Sequence, residues 1–291
     1  MRPTPERAFA SLAWCASLGV VLGIGVLLAI LAWRGASTLG AELLFGEADP
    51  WSVLTGRART FDGIWPAVLG TTTLVFLASV LAIPLGIASG VWACAYAPPR
   101  LRRGFNLAID TLAGVPSIVM GLFGFAFILL LRRKLAPDAS TGLWLSALCL
   151  ALLVAPYVVR TTQNALLALP EELRLLGPSL GLSREQNLRT ILLPSAGRGI
   201  LSGVMLAIGR AAEDTAVIML TGAVYNAGIP RGLAEKYEAL PFRIYVIGAE
   251  YRNHAELAQG FGCALVLLVL TASFLFLSAH LHRSMERRWQ R

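Results

Sequence analysis

Long apolar runs separated by short polar stretches organise this chain. The runs cover about Phe9 to Trp33, Ile64 to Tyr96, Phe105 to Leu131, Leu143 to Val159, Gly199 to Gly222 and Leu257 to Leu281. Each approaches or exceeds the roughly 20 apolar residues that cross a hydrocarbon core of about 30 Å as a helix. The first run is too long for the roughly 7–15-residue core of a signal peptide, and it ends on Trp33-Arg34, a pair suited to the membrane boundary. A polar stretch from Gly35 to Gly63 follows, holding Asp49-Pro50 and Arg57-Ala58-Arg59. The second run contains Pro84 and the small residues Gly86 and Gly90, four apart on one helix face for close packing. It stops at Pro98-Pro99, and a basic link, Arg100-Leu101-Arg102-Arg103, leads to the third run, which carries Gly114, Pro116, Gly121 and Gly124. The pattern predicts an all-α integral membrane protein of six transmembrane helices.

Residues 160–198 break that pattern. They are too polar to span yet keep a helical period. Glu171 and Glu172 directly follow Pro170, which starts a helix with acids in its first turn. Ser183 with Gln186 three residues on is a capping-box signature opening a second short helix. Leu188, Ile191 and Leu192 give that helix an apolar stripe, and Pro194 is expected to end it. The result is an amphipathic helix–turn–helix outside the membrane, with Gly181 in the turn, that must bury its stripe against something.

Composition narrows the class. Apolar residues make up 56% of the 291, charged residues only 14%, and mean hydropathy is +0.66. A soluble domain carries roughly 25% charged residues, so a soluble enzyme or secreted domain is excluded. The formal charge of +8 comes from 25 basic against 17 acidic residues. In a membrane protein such an excess sets orientation and meets anionic headgroups rather than nucleic acid. With both termini on the cytoplasmic side, the inner segments hold fourteen Arg, among them Arg2, Arg7, Arg283, Arg287, Arg288 and Arg291. The outer segments hold ten Arg and Lys, including the cluster Arg132-Arg133-Lys134 on the less favoured side. Cys15, Cys94, Cys149 and Cys263 lie singly inside apolar runs, with neither the converging ligands of a metal site nor the context of a disulfide framework.

The helix–turn–helix carries a resemblance. Binding-protein-dependent ABC importers of the type I class have a cytoplasmic loop reading Glu-Ala-Ala, Gly four residues later, then Ile-x-Leu-Pro ten residues beyond the Gly. Here Gly181 is followed at that spacing by Ile191-Leu192-Leu193-Pro194, while Leu175-Leu176-Gly177 occupy the Glu-Ala-Ala positions. Leu69-Gly70-Thr71-Thr72-Thr73-Leu74, Ala82-Ile83-Pro84-Leu85-Gly86-Ile87, the segment from Gly114-Val115-Pro116-Ser117 to Gly124, and Gly209-Arg210-Ala211-Ala212-Glu213-Asp214-Thr215-Ala216 resemble the permeases of phosphate importers. Arg160-Thr161-Thr162 with Asn164 is similar to their A-type rather than C-type permease. The match runs from about Ile64 to His282. It implies a permease core over 64–282 with a coupling loop at about 160–198, preceded by a helix and extracytoplasmic loop at 1–63 and followed by a basic cytoplasmic tail at 283–291. It also implies a location in the bacterial inner membrane with both termini cytoplasmic. The expected partners are a C-type permease, two ATP-binding subunits, an extracytoplasmic phosphate-binding protein and membrane lipid; no cofactor or metal is expected. ATPase coupling would fall on Glu171, Glu172, Gly181, Leu188, Ile191, Leu192 and Pro194.

The fifth run departs from the family's Gly-Arg-x-x-Gly-Glu-Thr, with Glu213-Asp214 in place of Gly-Glu. Arg210 lies about eleven residues into that run, roughly 16 Å at about 1.5 Å per residue. A charge at that depth costs at least about 2.5–3.5 kcal/mol, so it must face protein or a water-filled path. Glu213 and Asp214 are three and four residues on, within reach across one turn. Arg offers a planar fork for phosphate oxygens. Phosphate near neutral pH keeps a proton to donate to a carboxylate and sulfate does not, so such a pair discriminates between them. Arg210, Asp214, Glu213 and Thr215 are therefore the candidate substrate path; an internal ion pair that only permits insertion is the competing reading. Gly199, Gly203, Ala207 and Ala211 form a small-residue stripe for packing within the chain or against a partner permease.

Catalysis has no support in these residues. Neither Lys134 nor Lys236 sits in the Gly-Lys-Ser/Thr of a phosphate-cradling loop, and His254, His280 and His282 form no HExxH. A permease for sulfate, molybdate or tungstate is the near alternative. A stand-alone secondary transporter would show two similar halves, which this sequence lacks.

Overall fold

The computed structural model describes residues 5–54 and 63–289; Arg2, Arg57, Arg59 and Arg291 lie outside them. The helices are α1 (Pro5–Ala36), α2 (Ala41–Phe45), α3 (Pro50–Leu54), α4 (Trp65–Ala95), α5 (Pro99–Ala113), α6 (Ser117–Lys134), α7 (Leu143–Leu167), α8 (Glu171–Ser179), α9 (Arg184–Asn187), a π-helical turn (Leu188–Leu192), α10 (Leu193–Glu213), α11 (Ala216–Thr221), α12 (Leu240–Glu250) and α13 (His254–Trp289). Among the described residues, five helices are long and apolar enough to cross a membrane, and the bent pair α5–α6 makes a sixth.

Two expected spans take a different form. The third run is not one helix: α5 and α6 meet at 101°. Pro116 lacks an amide hydrogen and disfavours helical backbone at Val115. The arginines expected as a link open α5, an amphipathic helix with no buried residue. The crossing part is α6, 18 residues, or about 27 Å. Its last turn holds Arg132, Arg133 and Lys134, where the helix dipole favours cations, which accounts for that cluster. The fifth run also breaks, at Asp214, whose backbone is extended (φ −70°, ψ 122°), before resuming as α11.

Pro194, expected to end a helix, does not. One continuous helix of 30 residues runs from Arg184 to Glu213. A proline inside a regular helix loses a hydrogen bond and collides with the preceding turn. The wider π-turn directly before it relieves this, with the Leu193 amide donating to Leu188 five residues back.

The core forms around α7, which α4 and α10 approach closely. A Cβ on Gly86 would lie 2.7 Å from that of Val158, and one on Gly90 would lie 2.8 Å from that of Thr162. Gly199 meets Ala165 and Gly203 meets Thr161, while Ala207 and Ala211 are buried. The small-residue stripe thus packs within the chain. Along α1 the apolar window is wholly exposed. That helix is held at its end, where a Cβ on Gly35 would stand 2.8 Å from the Phe261 carbonyl of α13.

Candidate functional site

The candidate site is the break between α10 and α11. One guanidinium nitrogen of Arg210 lies 3.4 Å from Asp214 Oδ2 and the other 3.3 Å from Glu213 Oε1. The three groups differ in exposure: the side chain of Asp214 is 1% exposed, that of Arg210 34% and that of Glu213 63%. Asp214 is also a helix cap, its Oδ1 accepting from the Val217 amide at 2.9 Å. That bond satisfies an orphan donor of α11 and explains why the acid stands at the break. Thr215 is half-buried beside it.

Depth follows from the packing register. Gly199 faces Ala165 and Gly203 faces Thr161, an antiparallel pairing that brings Arg210 to the level of about Val154. Val154 is eleven residues from the start of α7 at Leu143, or about 16 Å into a helix of about 37 Å. The ion pair therefore sits near mid-depth, as its sequence position suggests. A half-exposed cation beside a buried, capped carboxylate can donate to the oxygens of a small anion at Arg210 while Asp214 stays fixed in place.

At the other end of the same helix is the helix–turn–helix. Gly181 has φ +76°, a left-handed conformation that glycine adopts without strain. The capping box forms in full: the Gln186 amide donates to Ser183 Oγ at 3.2 Å and the Ser183 amide to Gln186 Oε1 at 2.8 Å. Glu171 and Glu172 are exposed in the first turn of α8. The expected stripe is not free for a partner. Leu188 is buried, and Leu192 packs on the cluster of Leu166, Ala196 and Ile200 with Ile191 half-buried nearby. Exposed apolar surface lies instead on Leu175, Leu176 and Leu180, two of them at positions where the family's motif has Glu-Ala. Gly177, in place of the motif's second Ala, is buried under the Asn187 side chain, whose amide donates to the Arg174 carbonyl at 3.1 Å.

Two polar networks escaped the reading of the sequence. On the α8 face, Arg160 bonds Asp110 (2.5 Å), Gln163 (2.7 Å) and the Asn106 carbonyl (3.0 Å), fixing α5 to α7. Arg184 stacks over the Tyr96 ring at 5.2 Å, tying α9 to the end of α4. On the opposite face, Glu238 accepts from Arg243 at 3.1 Å and from the Gly228 amide at 2.9 Å, and Arg243 lies 5.1 Å over the Tyr225 ring. Burial holds the Glu238 carboxyl above its ordinary range, opposed by the Gly228 bond and the Arg243 charge. Thr71 completes this corner by accepting from the Leu240 amide at 2.8 Å. Apart from Arg160–Gln163 within one turn of α7, these pairings join residues 5 to 169 apart, and no local pattern signals them.

The family described as "Binding-protein-dependent transport system inner membrane component" matches residues 82–287. Over 220 residues the chain is 34% identical to the phosphate transport system permease protein PstA 1 of Mycobacterium tuberculosis, covering 72% of this chain and 67% of that protein. It is 31% identical over 258 residues to the phosphate transport system permease protein PstA of Haemophilus influenzae, covering 87% and 86%. A bacterial ABC transporter involved in the import of the acidic polysaccharide alginate is similar in structure over 96% of each chain, with a TM-score of 0.65 and 12% identity. At that identity the likeness is one of fold.

Proposed function

The chain belongs to the family of inner membrane components of binding-protein-dependent transport systems, and we propose that it is the A-type permease subunit of an ATP-driven phosphate importer. The fold is that of type I ABC importer permeases, and subunits of this kind are non-catalytic. The observation that carries the substrate is the Arg210–Asp214 pair at mid-depth, in a chain 31–34% identical to proteins named as phosphate permeases. Arg210 offers phosphate a cation and a planar donor fork. Asp214, pinned by the Val217 amide, accepts the remaining proton of the anion; sulfate has none to give, and the carboxylate repels it. Glu213, more exposed, widens the acidic collar, and Thr215 can offer a hydroxyl to the same oxygens.

Transport in this reading needs ATPase subunits on the α8 face. Leu175, Leu176 and Leu180 form the apolar part of the docking surface, with Glu171 and Glu172 at its edge and Gly181 shaping the turn. Leu188, Ile191, Leu192 and Pro194 contribute by holding that surface to α10. The 30-residue helix from Arg184 to Glu213 then connects the docking surface directly to the ion pair. A C-type permease completes the path, and a phosphate-binding protein delivers substrate to the opposite face. The α8 face is cytoplasmic in this assignment, both termini lie inside, and the membrane is the bacterial inner membrane. Residues 64–282 form the core, 1–63 an added helix and loop, and 283–291 the tail.

Expression of this chain in a strain lacking its own A-type phosphate permease, with the remaining subunits present, should restore phosphate uptake. Restored sulfate or molybdate uptake without phosphate uptake would assign the chain to that other oxyanion.

A further inference from the structure

On the face opposite α8, α1 and α13 enclose a cleft of about 400 Å³ lined by Trp33, Arg34, Ser37, His254, Leu257 and Phe261. It lies where two candidate spans meet the membrane boundary, one ending at Ala36 and the other starting at His254. We propose that this cleft binds the phosphate of an anionic phospholipid headgroup in the leaflet opposite α8. The inference is independent of the proposed substrate path.

Arg34, His254, Trp33, the apolar wall and the helix contact at the base carry it together. Arg34 is exposed, and among the described residues no carboxylate lies within ion-pair distance of it. Its guanidinium is nevertheless positioned, 5.4 Å over the Phe261 ring, which leaves its donor edge for an acceptor from the membrane. His254 supplies a second N–H donor on the facing helix, at the same membrane level. Trp33 is 86% exposed, and indole rings favour the headgroup level. Below the polar rim the wall is apolar, Leu257 and Phe261, and α1 carries exposed Ile24, Leu27 and Leu28 in the turns before Arg34, apolar surface for an acyl chain. The site is rigid at its base, because α1 and α13 touch at Gly35 and Phe261. A zwitterionic lipid fits less well, since its ammonium would meet Arg34.

Phosphate chemistry alone could come from a lipid or from free phosphate, and the test separates them. The assembled transporter, purified in non-ionic detergent, is titrated with phosphatidylglycerol, phosphatidylcholine and inorganic phosphate and read by native mass spectrometry. Phosphatidylglycerol should be retained at least fivefold better than phosphatidylcholine. Arg34→Gln should lower its retention about fivefold, matching the roughly 1 kcal/mol of one basic residue at an anionic surface, while Arg34→Lys keeps most of it. A monodisperse elution profile for each variant shows that the protein is intact. Equal retention of the two lipids, or unchanged retention in Arg34→Gln, overturns the proposal. Displacement of phosphatidylglycerol by millimolar inorganic phosphate also overturns it, by assigning the cleft to the free anion.

Discussion

The ion pair at the α10–α11 break predicts an asymmetry between its two members. Arg210→Gln removes a cation 3.4 Å from a carboxylate that is 1% exposed, leaving it, among the described residues, the Val217 amide. Removing one partner of a buried pair costs about 3–5 kcal/mol, and the surviving cap places this change at about 3 kcal/mol. Asp214→Asn is milder. An amide caps a helix about as well as a carboxylate, and Arg210 keeps Glu213 at 3.3 Å and a third of its surface exposed, so about 1 kcal/mol is expected. The two variants and their double should be compared by equilibrium unfolding in mixed micelles, beside radiolabelled phosphate and sulfate uptake at matched expression. If the pair is the anion path, Arg210→Gln loses uptake beyond its loss of folded protein, and Asp214→Asn admits sulfate. Equal destabilisation by the two single changes would refute the structural asymmetry. Normal phosphate uptake by Arg210→Gln/Asp214→Asn would reduce the pair to an insertion device.

Cysteines replacing Leu175, Leu176 or Leu180 should crosslink to the ATPase subunit and one replacing Leu188 should not; the reverse pattern would return the docking surface to the inner stripe. Gly181→Val should strain the turn by about 1–2 kcal/mol, uncoupling ATP hydrolysis from uptake while membrane insertion, followed by fractionation, is preserved. Glu213→Gly removes an exposed acid at a helix end and should change phosphate uptake less than twofold, since Asp214 holds the buried position. Gly203→Leu should force α10 off α7 at Thr161, and a loss of several kcal/mol in the same unfolding assay is expected from overpacking and lost contacts.

Hydrophobic patterning made the membrane class, the spans and the helix–turn–helix legible, because a bilayer imposes length and polarity on every crossing segment. The Ser183 capping box and the Gly181 turn were equally legible, since each depends on residues within a few positions. Three features were hidden for physical reasons. The bend at Gly114–Pro116 turns a continuous apolar run into α5 and α6, and hydropathy averages over such a corner. A π-turn absorbs Pro194, so a residue that usually stops a helix here sits inside one. The stripe of Leu188 and Leu192 has the right period for a docking face, yet period cannot distinguish a chain's own core from a partner's surface. The candidate path was found through Arg210 and its spacing to two acids; the cap that Asp214 makes on Val217 was not, because it exists only where the helix breaks.

In this account the chain moves phosphate only as the membrane half of an ATP-driven assembly. Liposomes containing this chain, its partner permease and the ATPase subunits, with the phosphate-binding protein outside and ATP inside, test it directly. Phosphate accumulation that requires ATP and the binding protein, and that vanishes when this chain is omitted, is the predicted result. Accumulation driven by an ion gradient in liposomes containing this chain alone, with no ATPase present, would contradict it.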